Sequence, residues 1–461
     1  MTASRMTMKL SIFIVLFASA SACAQYGPSP YTPVRWDENY FYLSDPAART
    51  DWLDPIKYIP LNDDGDVYLS LGGQARYRYE LWDNFNFGAG PQDGNGFGLW
   101  RFMAHADLHV GEHFRFFVQG KSALEDGRHG GPRPPDEDKL ALQQAFGDFI
   151  IPFDDNRFTL RVGRQDLIYG AQRLISPLDW TNARRTFQGL KGSLEMPDRT
   201  LDLFLVQPVV IDADGWDEGD ADTSFAGAYY VQSLPRFIGR KANSRWEAYA
   251  LALEREPGGD ALDSDRYTLG TRFKTAPKPW DVDVETAWQF GEAGDESIDA
   301  WMFAIEGGYT FADAPLSPRV FLGFDIASGG DDGERFDQLF PLGHAYFGYI
   351  DVVGRQNIID LHGGATFTLR KDLTLRAAQH FFWRQDTNDA LYNAAGAVQR
   401  ADNGSDASYV GTELDLLLNW QIDRHWSAYS GVSHFWPGDF IDQTGPDEPI
   451  TFFYAAVLFA F

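Results

Sequence analysis

The sequence predicts an all-β chain: a transmembrane antiparallel β-barrel of about 18 strands, with short periplasmic turns and long extracellular loops. Three observations predict it. Eighteen segments alternate apolar and polar residues at period two, the pattern of a strand with lipid on one face and water on the other. The final segment, 451–461, sets Phe453, Ala455, Val457, Phe459 and Phe461 on one face and ends on an aromatic residue. Past residue 20 no apolar run is long enough for a membrane helix, and the mean hydropathy of −0.32 fits strands that each contribute one polar face.

At the start of the chain, Arg5 and Lys9 precede an apolar run, 10–20, that is too short to span a bilayer. Ala22, Cys23 and Ala24 follow as a small-x-small cleavage site, so residues 1–24 read as a signal peptide. Cys23 also admits lipidation, although Ala20 stands where a lipobox has Leu. Residues 25–66 then form a periplasmic pre-barrel segment, and 67–461 the outer-membrane barrel. Cleavage after Ala24 leaves no cysteine, so closure must come from something other than disulfides, such as a ring of backbone hydrogen bonds. Aromatic residues make up 15% of the chain, as interfacial girdles require. The formal net charge of −27 excludes nucleic acid or another polyanion as a partner held by the overall field.

The alternating segments are 67–82, 97–109, 113–121, 140–151, 157–168, 184–195, 200–209, 223–232, 244–254, 265–274, 281–290, 299–311, 318–327, 358–370, 373–384, 408–420, 426–435 and 450–461. Short connections at 110–112, 152–156, 196–199, 276–279, 370–372 and 422–425 read as periplasmic turns. Long ones at 83–96, 122–139, 169–183, 210–222, 328–357, 385–407 and 436–449 read as extracellular loops. An even strand number puts both ends of the barrel in the periplasm.

A charged side chain facing lipid near mid-membrane costs about 2–4 kcal/mol, so charged residues on the strands should face the lumen. That places Arg76, Arg78, Arg101, Arg115, Arg161, Arg185, Lys191, Arg272, Arg376 and Arg384 inward. It does the same for Glu80, Asp148, Glu247, Asp283, Glu285, Glu306, Asp325, Glu413 and Asp415. Arginine outnumbers lysine 30 to 9. The inward arginines recur on strands one, two, three, five and six and the inward acids gather on the ninth and the eleventh to thirteenth, which predicts one positive and one negative wall. Such a lumen suits an elongated carboxylate-bearing solute, because guanidinium groups pair bidentately with carboxylates. Charge pairing across any barrel lumen explains the same residues without a ligand.

One stretch carries more specific information: Arg161-Val-Gly-Arg-Gln-Asp-Leu-Ile-Tyr-Gly170, then Gln172-Arg-Leu-Ile-Ser-Pro-Leu-Asp-Trp-Thr-Asn-Ala-Arg-Arg-Thr-Phe-Gln-Gly189. It resembles the signature of the alginate-export family of outer-membrane porins. The stretches Arg35-Trp-Asp-Glu38, 45–51 and 54–61 are similar to that family as well. The resemblance implies an 18-stranded monomeric barrel whose arginine-lined constriction passes a polyuronate after synthesis at the inner membrane, in company with a periplasmic secretion complex. The terminal Phe461 resembles the signal read by the outer-membrane assembly machinery. Within the motif, strict alternation turns Arg164 toward lipid. Either Arg164 lies above the apolar band, or a β-bulge near Gly163 turns it into the channel. Trp180 is expected to anchor the returning loop. Arg161, Arg164, Arg184 and Arg185 form the expected constriction.

The family's exporter has a long late periplasmic loop as a gate, whereas the turn 421–425 here is tight. Two extracellular loops, 122–139 and 328–357, are the candidates to fold inward instead. Enzyme and cofactor signals are weak. His105, His109 and His113 recur at a spacing that gathers a metal on a helix but not on a strand. The acidic loop 212–222 lacks the calcium-loop Gly, and no nucleophile elbow, phosphate loop or dinucleotide fingerprint occurs. No cofactor is expected. Three functions fit: a channel for an anionic polysaccharide, a porin for small anionic or general solutes, and a β-rich polysaccharide lyase.

Overall fold

The computed structural model describes residues 31–235, 244–256, 263–331 and 333–461. The expected signal peptide and Cys23 lie outside them. Eighteen long strands form the barrel: β1 (Val67–Asp83), β2 (Phe97–Val110), β3 (Phe114–Asp126), β4 (Asp138–Phe153), β5 (Asn156–Gln165), β6 (Phe187–Met196), β7 (Arg199–Val210), β8 (Thr223–Leu234), β9 (Ser244–Arg255), β10 (Ser264–Thr275), β11 (Trp280–Ala293), β12 (Glu296–Thr310), β13 (Arg319–Ala327), β14 (Ile358–Arg370), β15 (Leu373–Trp383), β16 (Tyr409–Gln421), β17 (Trp426–Pro437) and β18 (Ile450–Ala460). Each pairs antiparallel with its neighbours in sequence. The ring closes where β18 pairs with β1, from Gln74 opposite Ala460 to Asp83 opposite Thr451. Gly73 and Phe461 extend that seam by exchanging hydrogen bonds of 2.9 and 3.0 Å. No strand edge is left open, which is what lipid demands of a sheet.

The alternation of the sequence becomes the two faces of the wall. Trp100, Phe102, Phe114, Phe116 and Val118 are exposed on the outside, while Arg101, His105, Asp107, Gln119 and Lys121 are buried inside. Exposed tryptophans form two belts. Trp246, Trp280, Trp420 and Trp426 lie near the periplasmic strand ends, and Trp100, Trp288, Trp301 and Trp436 near the extracellular ones. β11 and β12 extend beyond the expected segments 281–290 and 299–311 to a two-residue turn, 294–295, on the extracellular side. Gly294 supplies its positive φ of 58°.

The pre-barrel segment locks the seam. Arg35 donates to the main-chain oxygens of Gly73 at 3.0 Å and Phe461 at 2.6 Å, and pairs with Glu38 at 2.7 Å. Asp51 and Asp54 hold His425 and Arg424 of the β16–β17 turn, each at 3.0 Å. The segment also reaches the inner face of the barrel wall. The Trp36 ring lies 3.9 Å from the buried Arg161 guanidinium, because the electron-rich face of the indole attracts that cation.

Lys57 is buried among the rings of Tyr31, Tyr40 and Phe461, and its Nζ has no hydrogen-bond partner. Burial, reinforced by Arg35, draws its pKa from an ordinary 10.5 down to about 7. Between those values the folded state holds fewer protons than the unfolded one, so stability rises with pH across that window. The thermal midpoint in liposomes should climb from pH 7 to pH 10, and Lys57→Met should flatten the climb.

Candidate functional site

The site is built from two loops that fold into the barrel. The first, residues 166–186 (loop A), joins β5 to β6. Gly163 and Gly189 stand opposite each other where it leaves and returns, at φ 130° and 151°. A Cβ on either would come within 2.3 Å of a carbonyl oxygen on the neighbouring strand, so only glycine permits this close approach. Loop A first crosses to the acidic side, where Arg173 meets Asp283 at 3.1 Å and Glu285 at 2.8 Å. It then pairs in parallel with the second loop, 328–357 (loop B), through Ile175 and Phe340. Three backbone hydrogen bonds join them: Ser176 N to Phe340 O at 2.8 Å, Phe340 N to Leu174 O at 2.9 Å and Leu342 N to Gln172 O at 2.9 Å.

Loop A next reaches β1 and β2. Arg76 and Arg101 donate to the Asp179 carbonyl at 3.0 and 2.9 Å, and Arg101 also pairs with the Asp179 carboxylate at 2.9 Å. Burial works to raise the Asp179 pKa, yet Arg101, Arg184 and Arg76 hold it below the usual carboxylate range. Arg78 donates to the Trp180 carbonyl and lies 4.0 Å over its ring. Trp180 stacks on His344 of loop B at 3.7 Å and meets Tyr454 of β18 edge-on. Wall arginines thus satisfy carbonyls that a loop inside the barrel would otherwise leave unpaired.

The sequence-predicted cations therefore fall into distinct places. Arg76, Arg78 and Arg101 face inward and hold loop A. Arg161 forms a bidentate pair with Asp148, 2.8 Å on both arms, between the rings of Trp36 and Phe146. Arg115 pairs with Asp107 and the Trp36 carbonyl, and Arg184 with Asp166 at 2.7 Å. Arg272 lies between Glu247 and Asp283, and Arg376 is 4.2 Å from the Phe321 ring with Glu306 at 3.9 Å. Arg384 staples the 384–408 loop through the carbonyls of Thr387, Asp389, Ser405 and Ala407. Lys191 meets Asp202 at 3.2 Å.

Arg164 stays out of the lumen. The registers of β5 with β4 and β6 run unbroken, so there is no bulge to turn it inward. Its guanidinium instead binds the carbonyls of Leu142 and Asp217 at the extracellular rim. Arg185 is the exception within the expected cluster. Half-buried, it has no carboxylate partner among the described residues and donates only to the carbonyls of Ser176 at 3.3 Å and Pro341 at 3.4 Å. It therefore lies at the junction of the two loops.

The acidic side serves the loops too. Arg355 of loop B pairs with Asp325 at 2.5 Å, and the amide of Ile350 donates to Glu413 at 3.0 Å. Loop B was an expected inward loop. The other, 122–139, is reduced by the flanking strands to a connection at 127–137 that packs along the rim, where Arg128 pairs with Asp93 and Asp136 over the Phe97 ring. Loop A itself was not expected to enter, since its docking depends on carboxylates more than 100 residues away in sequence. The sequence reading also missed Asp360, His362 and His380, three buried inward residues in contact on β14 and β15.

The model of the alginate export family matches residues 67–453, the whole barrel up to the start of β18. The chain belongs to the alginate export family. Its structural neighbours are outer-membrane porins of Pseudomonas aeruginosa. OpdO aligns with a TM-score of 0.58 at 11% identity, covering 85% of this chain and 97% of that one. OccK2 (OpdF), solved in complex with glucuronate, gives 0.56 at 13%, covering 86% and 98%. OpdK with vanillate gives 0.55 at 11%, covering 85% and 98%. No curated protein sequence matches the chain. This family member is thus an outer-membrane channel, located in the bacterial outer membrane.

Two substitutions separate support from passage. Arg161→Ala leaves Asp148 unpaired and should cost about 3–5 kcal/mol of unfolding free energy in liposomes while leaving ion selectivity unchanged. Trp180→Ala removes the ring that holds loop A against β1 and loop B, and should raise single-channel conductance and open-state noise without preventing folding.

Proposed function

We propose that this outer-membrane channel passes a carboxylate-bearing saccharide, an alginate-like polyuronate, along a path that runs past Arg185 where loops A and B meet. The observation that carries the reading is the Arg185 guanidinium, held at that junction by two long hydrogen bonds to carbonyls and by no carboxylate among the described residues. Most other lumenal arginines are committed to wall or loop contacts. Arg185 keeps donors for a passing anion, and a guanidinium matches a uronate carboxylate bidentately. Family membership supports a uronate, and so does the glucuronate in the complex of a distant structural neighbour. Lys191, paired with Asp202 and lying over the rings of Trp36 and Tyr169, is a further inward cation on β6.

A second reading, a porin for small anionic solutes, is favoured by the three hydrogen bonds that tie the loops together across the lumen. Vesicle transport separates the two. The polyuronate reading predicts efflux of both glucuronate and polymannuronate, and the small-solute reading efflux of glucuronate alone. Direction follows the gradient in either case. In planar bilayers the wild type should be anion-selective. Arg185→Glu should lower the anion-to-cation permeability ratio by on the order of tenfold, the equivalent of about 1.4 kcal/mol. Arg185→Lys should retain selectivity but lose polyuronate block. A cation-selective wild type, or a ratio indifferent to Arg185→Glu, would remove the basis of the assignment.

A further inference from the structure

We propose that Asp360, His362 and His380 form a lumenal binding site for a divalent transition-metal ion of the zinc class, with Asp325 as fourth ligand. The inference is independent of which solute the channel passes.

The sheet register assembles the site. Glu306, Gly323, His362, His380 and Glu413 stand in one row across β12 to β16. Asp325 and Asp360 stand opposite each other in the row two residues nearer the extracellular side. All the charged and imidazole members face the lumen. The rings of His362 and His380 lie 5.0 Å apart, the spacing of directly opposed residues on adjacent strands. Gly323 makes room for this: a Cβ there would come within 2.0 Å of His362 Nε2.

The donor atoms then converge. Asp360 Oδ2 lies 2.8 Å from His362 Nδ1 and 3.0 Å from His380 Nδ1, and Asp325 Oδ2 lies 3.9 Å from His362 Nδ1. Ligands of a tetrahedral zinc ion with bonds of about 2.0–2.2 Å are separated by about 3.3 Å, within the range spanned here. Two imidazoles and carboxylate oxygen are donors that zinc accepts.

The outer nitrogens supply a second, independent observation. His362 Nε2 faces Glu306 Oε2 at 3.8 Å, and His380 Nε2 faces Asp415 Oδ2 at 4.0 Å. That Asp415 oxygen is buried without any hydrogen-bond partner. Without a metal, an imidazolium would donate from Nδ1 to Asp360 and from Nε2 toward these carboxylates. A metal on Nδ1 would take the place of the inner proton and leave each Nε2–H pointing at a carboxylate, the arrangement that orients metal-bound histidines. Asp360, Glu413 and Asp415 have no Lys or Arg ion-pair partner among the described residues, and Asp360 lies between the two histidines.

The test uses the folded full-length protein, stripped with a chelator and titrated with Zn2+ by calorimetry and with Co2+ by visible absorption. Expected are one ion per chain, the intense bands of tetrahedral Co2+, and at least tenfold weaker binding in Asp360→Asn and His380→Gln. His105→Gln, an inward histidine on β2, should bind as the wild type does. Should a variant fail to fold, the unaltered protein still decides: Zn2+ should protect His362 and His380, and not His113, from carbethoxylation mapped by mass spectrometry. Absence of tetrahedral Co2+ bands, affinity unchanged by both substitutions, or equal modification with and without Zn2+ would overturn the site.

Discussion

Everything in this molecule depends on the closure of its backbone hydrogen-bond ring. A sheet in lipid cannot carry an open edge, because each unpaired amide or carbonyl there costs several kcal/mol. The pairing of β18 with β1 removes the last edge, and the chain reinforces that seam from within. Arg35 reaches the main-chain oxygens of both seam strands, so the pre-barrel segment serves as a latch on the closure. Once the ring is shut, lipid claims one face of every strand and forces charge onto the other.

That forced charge is the raw material of the lumen, and most of it is spent on structure. Asp148, Asp166, Asp107 and Glu247 neutralise arginines on their own or adjacent elements. Arginines without such neighbours capture the main chain of loop A, and acids on the far side capture Arg173 and Arg355. The two walls of opposite sign thus hold a pair of loops across the channel. Under the proposed function it is Arg185, at the junction of these loops and bound to the carbonyls of Ser176 and Pro341, that meets the solute, while most wall arginines are bound to carboxylates or main chain.

The strands were legible because lipid imposes a strict period of two, and each of the eighteen expected segments overlaps a strand. The inward parity of Arg76, Arg101 and Arg272 was legible for the same reason. Their partners were not, since an arginine bound to a ligand and one bound to the carbonyl of Asp179 look alike in sequence. Arg164 was half legible: alternation placed it outside, and only the unbroken register excluded the bulge. The opposition of His362 and His380 illustrates a finer limit. Counting back from the turn 371–372 sets Phe381 against His362. A register shift between Thr368 and Arg370 moves the pairing by one residue and brings the two histidines together.

We propose that a carboxylate-binding constriction, made where loop A meets loop B, governs passage. Single-channel recording of the wild-type protein with mannuronate oligomers of increasing length, against neutral glucans of equal length, tests it most directly. The expected result is current interruptions by the uronates alone, with dwell times that lengthen as residues are added. Equal block by both polymers, or an uninterrupted current with either, would contradict it.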